Sequence, residues 1–367
     1  MAKAKKTSRK PGPAGNGDIC VCSLPKVPPR ILPAGLNPDR LRLIRINEKK
    51  WANGTVLHYY FFDRPDDGPG GAWVGPGPQR DVVRRAFQAW RDLGIGLEFH
   101  EVEDRQQAEV RIGFMAGDGS WSYVGRDVID IARNPHERTM NFGWDLTTSY
   151  GWDTALHEVG HTLGFPHEHQ NPNSGIVWNE QAVLDTFGGP PNNWDEATIR
   201  WNILRKLSPD EISGSPWDPD SIMHYQLPAG VIDQPERYRN GLLPEPGLSA
   251  KDIEWARIFY PPLAEEMSVL RPLESLPVNI GPGEQLNFRI EVAQSRKYTI
   301  QTFGVSDTVM VLFEERDGEF RYMEGDDDSG SRRNSRIRVR LFAGDRYVLR
   351  LRLFYAGDSG QTAVFMW

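Results

Sequence analysis

The sequence predicts an α+β domain followed by an all-β sandwich, with a basic segment in front of both. Three observations carry this. Residues 55–114 read in the order strand, helix, strand, strand. Past residue 263 the pattern turns to short alternating strands separated by turn residues. Residues 1–50 hold 12 Lys/Arg against 3 Asp/Glu, with 7 Pro, 4 Gly and no aromatic residue, whereas the rest of the chain holds 31 against 47. The expected divisions are a basic segment over 1–49, an α+β domain over 50–262 and a sandwich over 263–367.

The elements follow in order. Thr55-Val56-Leu57-His58-Tyr59-Tyr60-Phe61-Phe62 is β-branched and aromatic and reads as a buried strand. A Pro/Gly-rich loop runs from Arg64 to Pro78. Val83, Phe87 and Trp90, with Val82, Ala86 and Leu93 beside them, then recur at helical spacing. Strands are expected at Leu97–Val102, Glu109–Phe114 and Thr139–Gly143, and a second helix over 148–163. Residues 171–246 read as loop-rich with one helix over 196–207. Ser249 caps a last helix that Pro261-Pro262 stops. The sandwich strands are expected at 286–292, 298–303, 309–313, 336–341 and 347–353.

Composition bounds the function. At 367 residues with 12 Trp, 11 Tyr and 16 Phe, the chain has ample surface to bury, which excludes overall disorder. No apolar run approaches the roughly 18 residues of a membrane span. Cys20 and Cys22 are the whole cysteine complement, which excludes a disulfide-stapled scaffold. The charged start lacks an apolar stretch behind it, so no Sec-type signal is visible, and the expectation is a cytoplasmic chain or one exported by another route. A basic head without aromatics argues against a nucleic-acid module. It is instead suited to lie over its own acidic body.

The chemistry concentrates in His157-Glu158-Val159-Gly160-His161-Thr162-Leu163-Gly164-Phe165-Pro166-His167-Glu168. Two histidines four apart share one helix face, so both imidazoles can reach one Zn²⁺ at about 2.0–2.1 Å. Glu158, next to the first ligand, can act on water without taking a coordination site. Gly164 permits a left-handed backbone that ends the helix and brings His167 back as a third ligand. Three neutral imidazoles leave the fourth position open, the mark of a catalytic zinc.

HExxHxxGxxH is the zinc signature of the metzincin metallopeptidases, and the Gly-Phe-x-His-Glu form resembles the astacins. Lys50-Trp51-Ala52-Asn53-Gly54-Thr55-Val56 resembles the start of a mature astacin domain, and Ser122-Tyr123-Val124-Gly125-Arg126 the segment upstream of the zinc helix. Ser221-Ile222-Met223-His224-Tyr225 resembles the astacin Met-turn, and Leu248–Ile253 the start of the final helix. The resemblance implies a metzincin fold, Met223 as an apolar floor under the zinc, and Tyr225 as a fifth zinc ligand that swings away to stabilise the transition state. It implies a substrate lying extended along Met140, Asn141, Phe142 and Gly143, and Glu168 meeting a new amino terminus after activation cleavage. The chain departs from the family in lacking its catalytic-domain disulfides and in reading His169-Gln170-Asn171-Pro172-Asn173 after the motif. Residues 263–367 resemble the pre-peptidase C-terminal sandwich of bacterial secreted proteases, and their run Glu324–Asp328 offers oxygen ligands for Ca²⁺.

The resulting expectation is a zinc endopeptidase cleaving proteins or peptides, latent until its N-terminal segment is removed. A latch is available from Cys20, Cys22 or Asp18; a thiolate is favoured because zinc prefers it to water. The competing reading is a binding or adhesion protein in which the sandwich recognises a partner. An intact Glu158 argues against it.

Overall fold

The computed structural model describes residues 20–28, 49–208, 216–263, 267–281, 284–316, 319–354 and 359–367. Asp18 lies outside them.

The N-terminal part of the α+β domain is a five-stranded sheet with two long helices against it. Its elements are β1 (Val56–Phe61), α1 (Gly77–Arg91), β2 (Glu98–Glu101), β3 (Val110–Gly113), β4 (Trp121–Ser122), α2 (Asp127–Asp130), β5 (Met140–Asn141) and α3 (Ser149–Thr162). The strand order is β2-β1-β3-β5-β4; all neighbours are parallel except β4, which runs antiparallel to β5. Leu57, Tyr59 and Phe61 alternate onto the face that α1 covers with Val83, Phe87 and Trp90. Tyr59 stacks on Phe87 at 4.4 Å. Trp90 donates its indole N–H to the Leu156 carbonyl at 3.0 Å, which ties α1 to α3. The long helices lie where the apolar spacing places them.

This sheet corrects the expected substrate strand at Met140–Gly143. β5 is flanked by β3 and β4, so its backbone groups are already spent, and Met140 and Phe142 are buried in the core. The edge on this side of the sheet is β4, which the sequence pattern does not mark as a strand: two residues carry no readable period.

The second half of the domain builds its own core. It contains β6 (Val177–Trp178), α4 (Glu180–Gly188), α5 (Glu196–Ile199) running on into a π-helical turn over Arg200–Leu204, β7 (Ile232–Gln234) and α6 (Ala250–Phe259). Helix α4 falls where the sequence predicts loop, and the helix predicted over 196–207 is shorter. Asn179 and Asp195 cap α4 and α5 through their side chains. Ser249 and Asp252 form a capping box on α6. No helix among the described residues is long and apolar enough to cross a membrane.

Residues 268–366 form two packed sheets around one apolar core. The strands are β8 (Ser268–Leu270), β9 (Ser275–Ile280), β10 (Gln285–Glu291), β11 (Arg296–Gly304), β12 (Thr308–Arg316), β13 (Glu319–Asp326), β14 (Arg336–Leu341), β15 (Arg346–Leu353) and β16 (Gly360–Met366). The orders are β13-β12-β15-β10-β8 and β14-β11-β16-β9. Four of these strands, β8, β9, β13 and β16, fall outside those expected from the sequence, although Leu276, Val278 and Ile280 of β9 do alternate onto the buried face. The acidic run at the end of β13 does not converge on a cation: Asp326 accepts the backbone N–H groups of Ser329 and Arg336 and so holds a turn.

Arg350 of β15 ties the sandwich to the α+β domain. It is buried, donates to the Asn53 carbonyl and spreads its guanidinium over Phe313 at 4.4 Å. A Cβ on Gly54, whose φ is +85°, would lie 1.3 Å from the Arg350 Nη1. Gly54→Ala is therefore expected to lower stability by about 1–3 kcal/mol through backbone strain and displacement of Arg350. Gly77→Ala, which meets nothing within 4 Å, is the matched control. Thermal unfolding of the two variants checks the difference.

Candidate metal centre

Helix α3 presents the motif. The Thr148 hydroxyl caps its start by accepting the Gly151 N–H, and Gly164 at φ +95° ends it, turning the chain so that His167 returns. A Cβ on Gly160 would lie 2.4 Å from the Met223 sulfur. Glycine between Val159 and His161 thus makes room for the methionine under the site. The turn that carries Met223 is clamped by Asp252, which accepts the Ser221 hydroxyl at 2.6 Å and the Ile222 N–H at 2.8 Å. The helix cap of α6 and the floor of the site share one carboxylate.

The three predicted histidines come together with Cys22. The Cys22 Sγ lies 3.0 Å from His157 Nε2, 3.6 Å from His161 Nε2 and 2.9 Å from His167 Nε2, and all four are buried. Among the described residues this is the one group of His, Cys, Asp or Glu close enough to hold a metal. A tetrahedral Zn²⁺ with one sulfur and three nitrogens has edges of about 3.3–3.6 Å, and the donor spacing is of that order. His157 Nδ1 donates to the Ile222 carbonyl and His161 Nδ1 to the Phe165 carbonyl, each at 2.7 Å. Those bonds fix the tautomer and leave both Nε2 lone pairs facing the cluster. Burial pushes the His157 pKa down to about 4 and those of His161 and His167 well below the usual range, so the imidazoles stay neutral and ligand-competent. The donor set fits zinc.

Glu158 is buried beside them, and neither carboxylate oxygen accepts a hydrogen bond. Burial holds its pKa well above the ordinary carboxylate value, against a smaller opposing pull from the Cys22 thiol. Tyr225 is buried with its hydroxyl 3.7 Å from the Cys22 sulfur and donating to the Cys22 carbonyl. Burial, and then the nearby Glu158, push the Cys22 thiol pKa up against a smaller opposing pull from the Tyr225 hydroxyl; a cation at the cluster favours its thiolate.

The latch residues separate. Cys22 reaches the histidines; Cys20 does not, and the two form no disulfide. The Cys20 carbonyl instead accepts the Tyr150 hydroxyl. Residues 20–28 thread the cleft through bonds that the sequence does not mark: Ser23 N–H to the Ser120 carbonyl at 3.1 Å, Leu24 N–H to Asn202 Oδ1 at 2.8 Å and Val21 N–H to Asn192 Oδ1 at 3.3 Å. The first of these lies beside the sheet edge at β4. An isolated asparagine in a loop or helical turn carries no signal of such a partner.

In the uncleaved chain Glu168 is held by its neighbours. Its Oε1 accepts the Asp218 N–H at 2.9 Å and the Asn171 side-chain amide at 3.1 Å, and burial pushes its pKa up to about 7. Trp51 donates its indole N–H to the Thr162 carbonyl at 2.8 Å and its backbone N–H to the Tyr260 hydroxyl at 3.2 Å.

Replacing His157 and His161 together by Ala is expected to abolish stoichiometric zinc binding, since it removes two of four donors. Metal analysis of the purified variant checks this; retention of one zinc per chain would place the metal elsewhere.

Residues 44–187 match the Astacin peptidase family. Zinc metalloproteinase nas-26 of Caenorhabditis elegans is 27% identical over 165 residues, 44% of this chain and 36% of that protein. The chain thus spans about a third of that relative's length. Astacin-like metalloprotease toxin 1 of Loxosceles intermedia is 24% identical over 246 residues, 65% of this chain and 77% of the toxin. The structure of myroilysin superposes with a TM-score of 0.52 at 29% identity, covering 60% of this chain and 98% of the other. Through its α+β domain and the His-Glu-x-x-His helix at its centre, the chain is similar over residues 44–187 to the astacin family of peptidases.

Proposed function

We propose that this chain is a zinc-dependent endopeptidase acting on proteins or peptides, held latent while Cys22 fills the fourth donor position. The observation that carries this is the closure of three neutral, buried imidazoles and one thiol around a single point, beside a carboxylate with no hydrogen-bond partner. When bound, Zn²⁺ supplies a Lewis acid for the scissile carbonyl and lowers the pKa of water.

The chain's own residues supply the rest. His157, His161 and His167 hold the ion, with the rings of the first two oriented from behind by the Ile222 and Phe165 carbonyls. Glu158 takes the proton of the attacking water and passes it to the leaving amine. The Tyr225 hydroxyl donates to the Cys22 carbonyl in the closed form. Once the segment leaves, it is free to donate to the oxygen that gains charge in the transition state. Met223 supports the histidines from below.

The Tyr225→Phe variant is expected to keep its zinc and lose about 10²-fold in kcat with a smaller change in KM, because the hydroxyl acts mainly in the transition state. Steady-state kinetics beside metal analysis reads this, and an effect confined to KM contradicts the role. The broader test is zinc content and casein cleavage of the wild type against Glu158→Ala. The binding-protein alternative draws no support from a complete His set and an intact Glu158.

A further inference from the structure

A partly open cavity lies beside the His cluster, and Val21 and Cys22 form part of its lining. It is continuous with the space the N-terminal segment occupies. Helix α3 contributes Tyr150, Asp153 and Thr154, the loop before it Trp144, and the chain beyond the Met-turn Gln226, Pro244 and Glu245. The carboxylates in this lining are Asp153, Glu158 and Glu245, and no lysine or arginine is among them.

The walls are held in place. Trp144 donates its indole N–H to the Thr154 hydroxyl at 3.0 Å and stacks with Tyr150 at 6.0 Å between ring centres. Asp153 is half-buried, and its Oδ1 accepts the Gly247 N–H at 3.0 Å. Its second oxygen carries the remaining charge. A carboxylate lining a partly enclosed space loses hydration that only a cation or a donor can replace. Aromatic faces beside it also favour a cation. An apolar side chain entering here desolvates Asp153 without return, and an acidic one meets like charge.

We propose that this cavity receives a lysine or arginine side chain of the substrate adjacent to the scissile bond, with Asp153 and Glu245 as its anionic partners and Trp144 and Tyr150 as its wall. The assignment rests on the peptidase reading of the neighbouring site. It makes Asp153 and Glu245 determinants of specificity with no part in the hydrolytic step.

The test uses the full zinc-loaded chain carrying Cys22→Ser, incubated with a mixed peptide library. Lysine and arginine are expected to be enriched at one of the two positions flanking the cleaved bond. Adding Asp153→Asn and Glu245→Gln is expected to lower kcat/KM for a cationic peptide by about 10- to 100-fold. The same change on a matched neutral peptide is expected to stay within about threefold. Asp153→Glu should retain most of the preference. Calorimetric binding of the same two peptides to the Cys22→Ser/Glu158→Ala chain should show the same discrimination without turnover. Cleavage with no cation enrichment, or with a preference that survives the double substitution, overturns the pocket assignment alone. A library left uncut, or cut independently of Glu158, overturns the peptidase reading and this assignment with it.

Discussion

Glu158→Gln is expected to bind one zinc per chain, keep the fold and lose about 10²–10⁴-fold in kcat/KM on any peptide the wild type cleaves. The substitution keeps the shape and removes the proton acceptor. Glu158 is fully enclosed, the amide has the same shape, and the metal donors are other residues. Stability should hold or rise slightly, since a buried, unpartnered carboxyl is costly. Metal analysis, thermal unfolding and single-turnover hydrolysis on one preparation separate the effects. Near-normal turnover in this variant would move the general base to another group. Loss of zinc together with activity would make Glu158 a structural support of the donor set.

The second large effect concerns Cys22. Cys22→Ser in the full chain is expected to raise basal peptidase activity by on the order of 10²-fold, because an intramolecular ligand competes at an effective concentration in the millimolar range. Cys20→Ser is expected to leave latency intact, as Cys22 and not Cys20 is grouped with the three histidines. Asp18→Ala is expected to do the same. Removing residues 1–49 should reproduce the activation and exceed it, because the backbone bonds to Ser120, Asn192 and Asn202 are lost along with the thiol. Replacing zinc by Co²⁺ gives a readout without substrate: a thiolate ligand adds a sulfur-to-metal charge-transfer band that Cys22→Ser removes. Equal activity of the full and shortened chains under reducing conditions would end the latency proposal.

The metal site is legible in the sequence because its geometry is local. His157 and His161 share a face through helix periodicity alone, and Gly164 and His167 follow within six residues, so no long-range contact is needed to bring the three together. The strand at 56–61 and the helices at 77–91 and 149–162 are legible for the same reason: each repeats its period over more than one turn or pleat. Helix α4 escapes because its nine residues bury only Val183 and Phe187. What only the tertiary structure decided are the long-range choices. Which of two cysteines one residue apart meets the histidines depends on how residues 20–28 cross a cleft whose walls lie about a hundred residues or more away in the chain. Which strand offers its edge depends on β4, two residues long, pairing with β5 and so closing Met140–Gly143 to any further strand. The docking of Arg350 onto the Asn53–Gly54 turn joins positions 297 residues apart. A sequence displays periodicity and motif spacing directly, whereas pairing partners and edges are settled by competition among all the strands and loops that fold together.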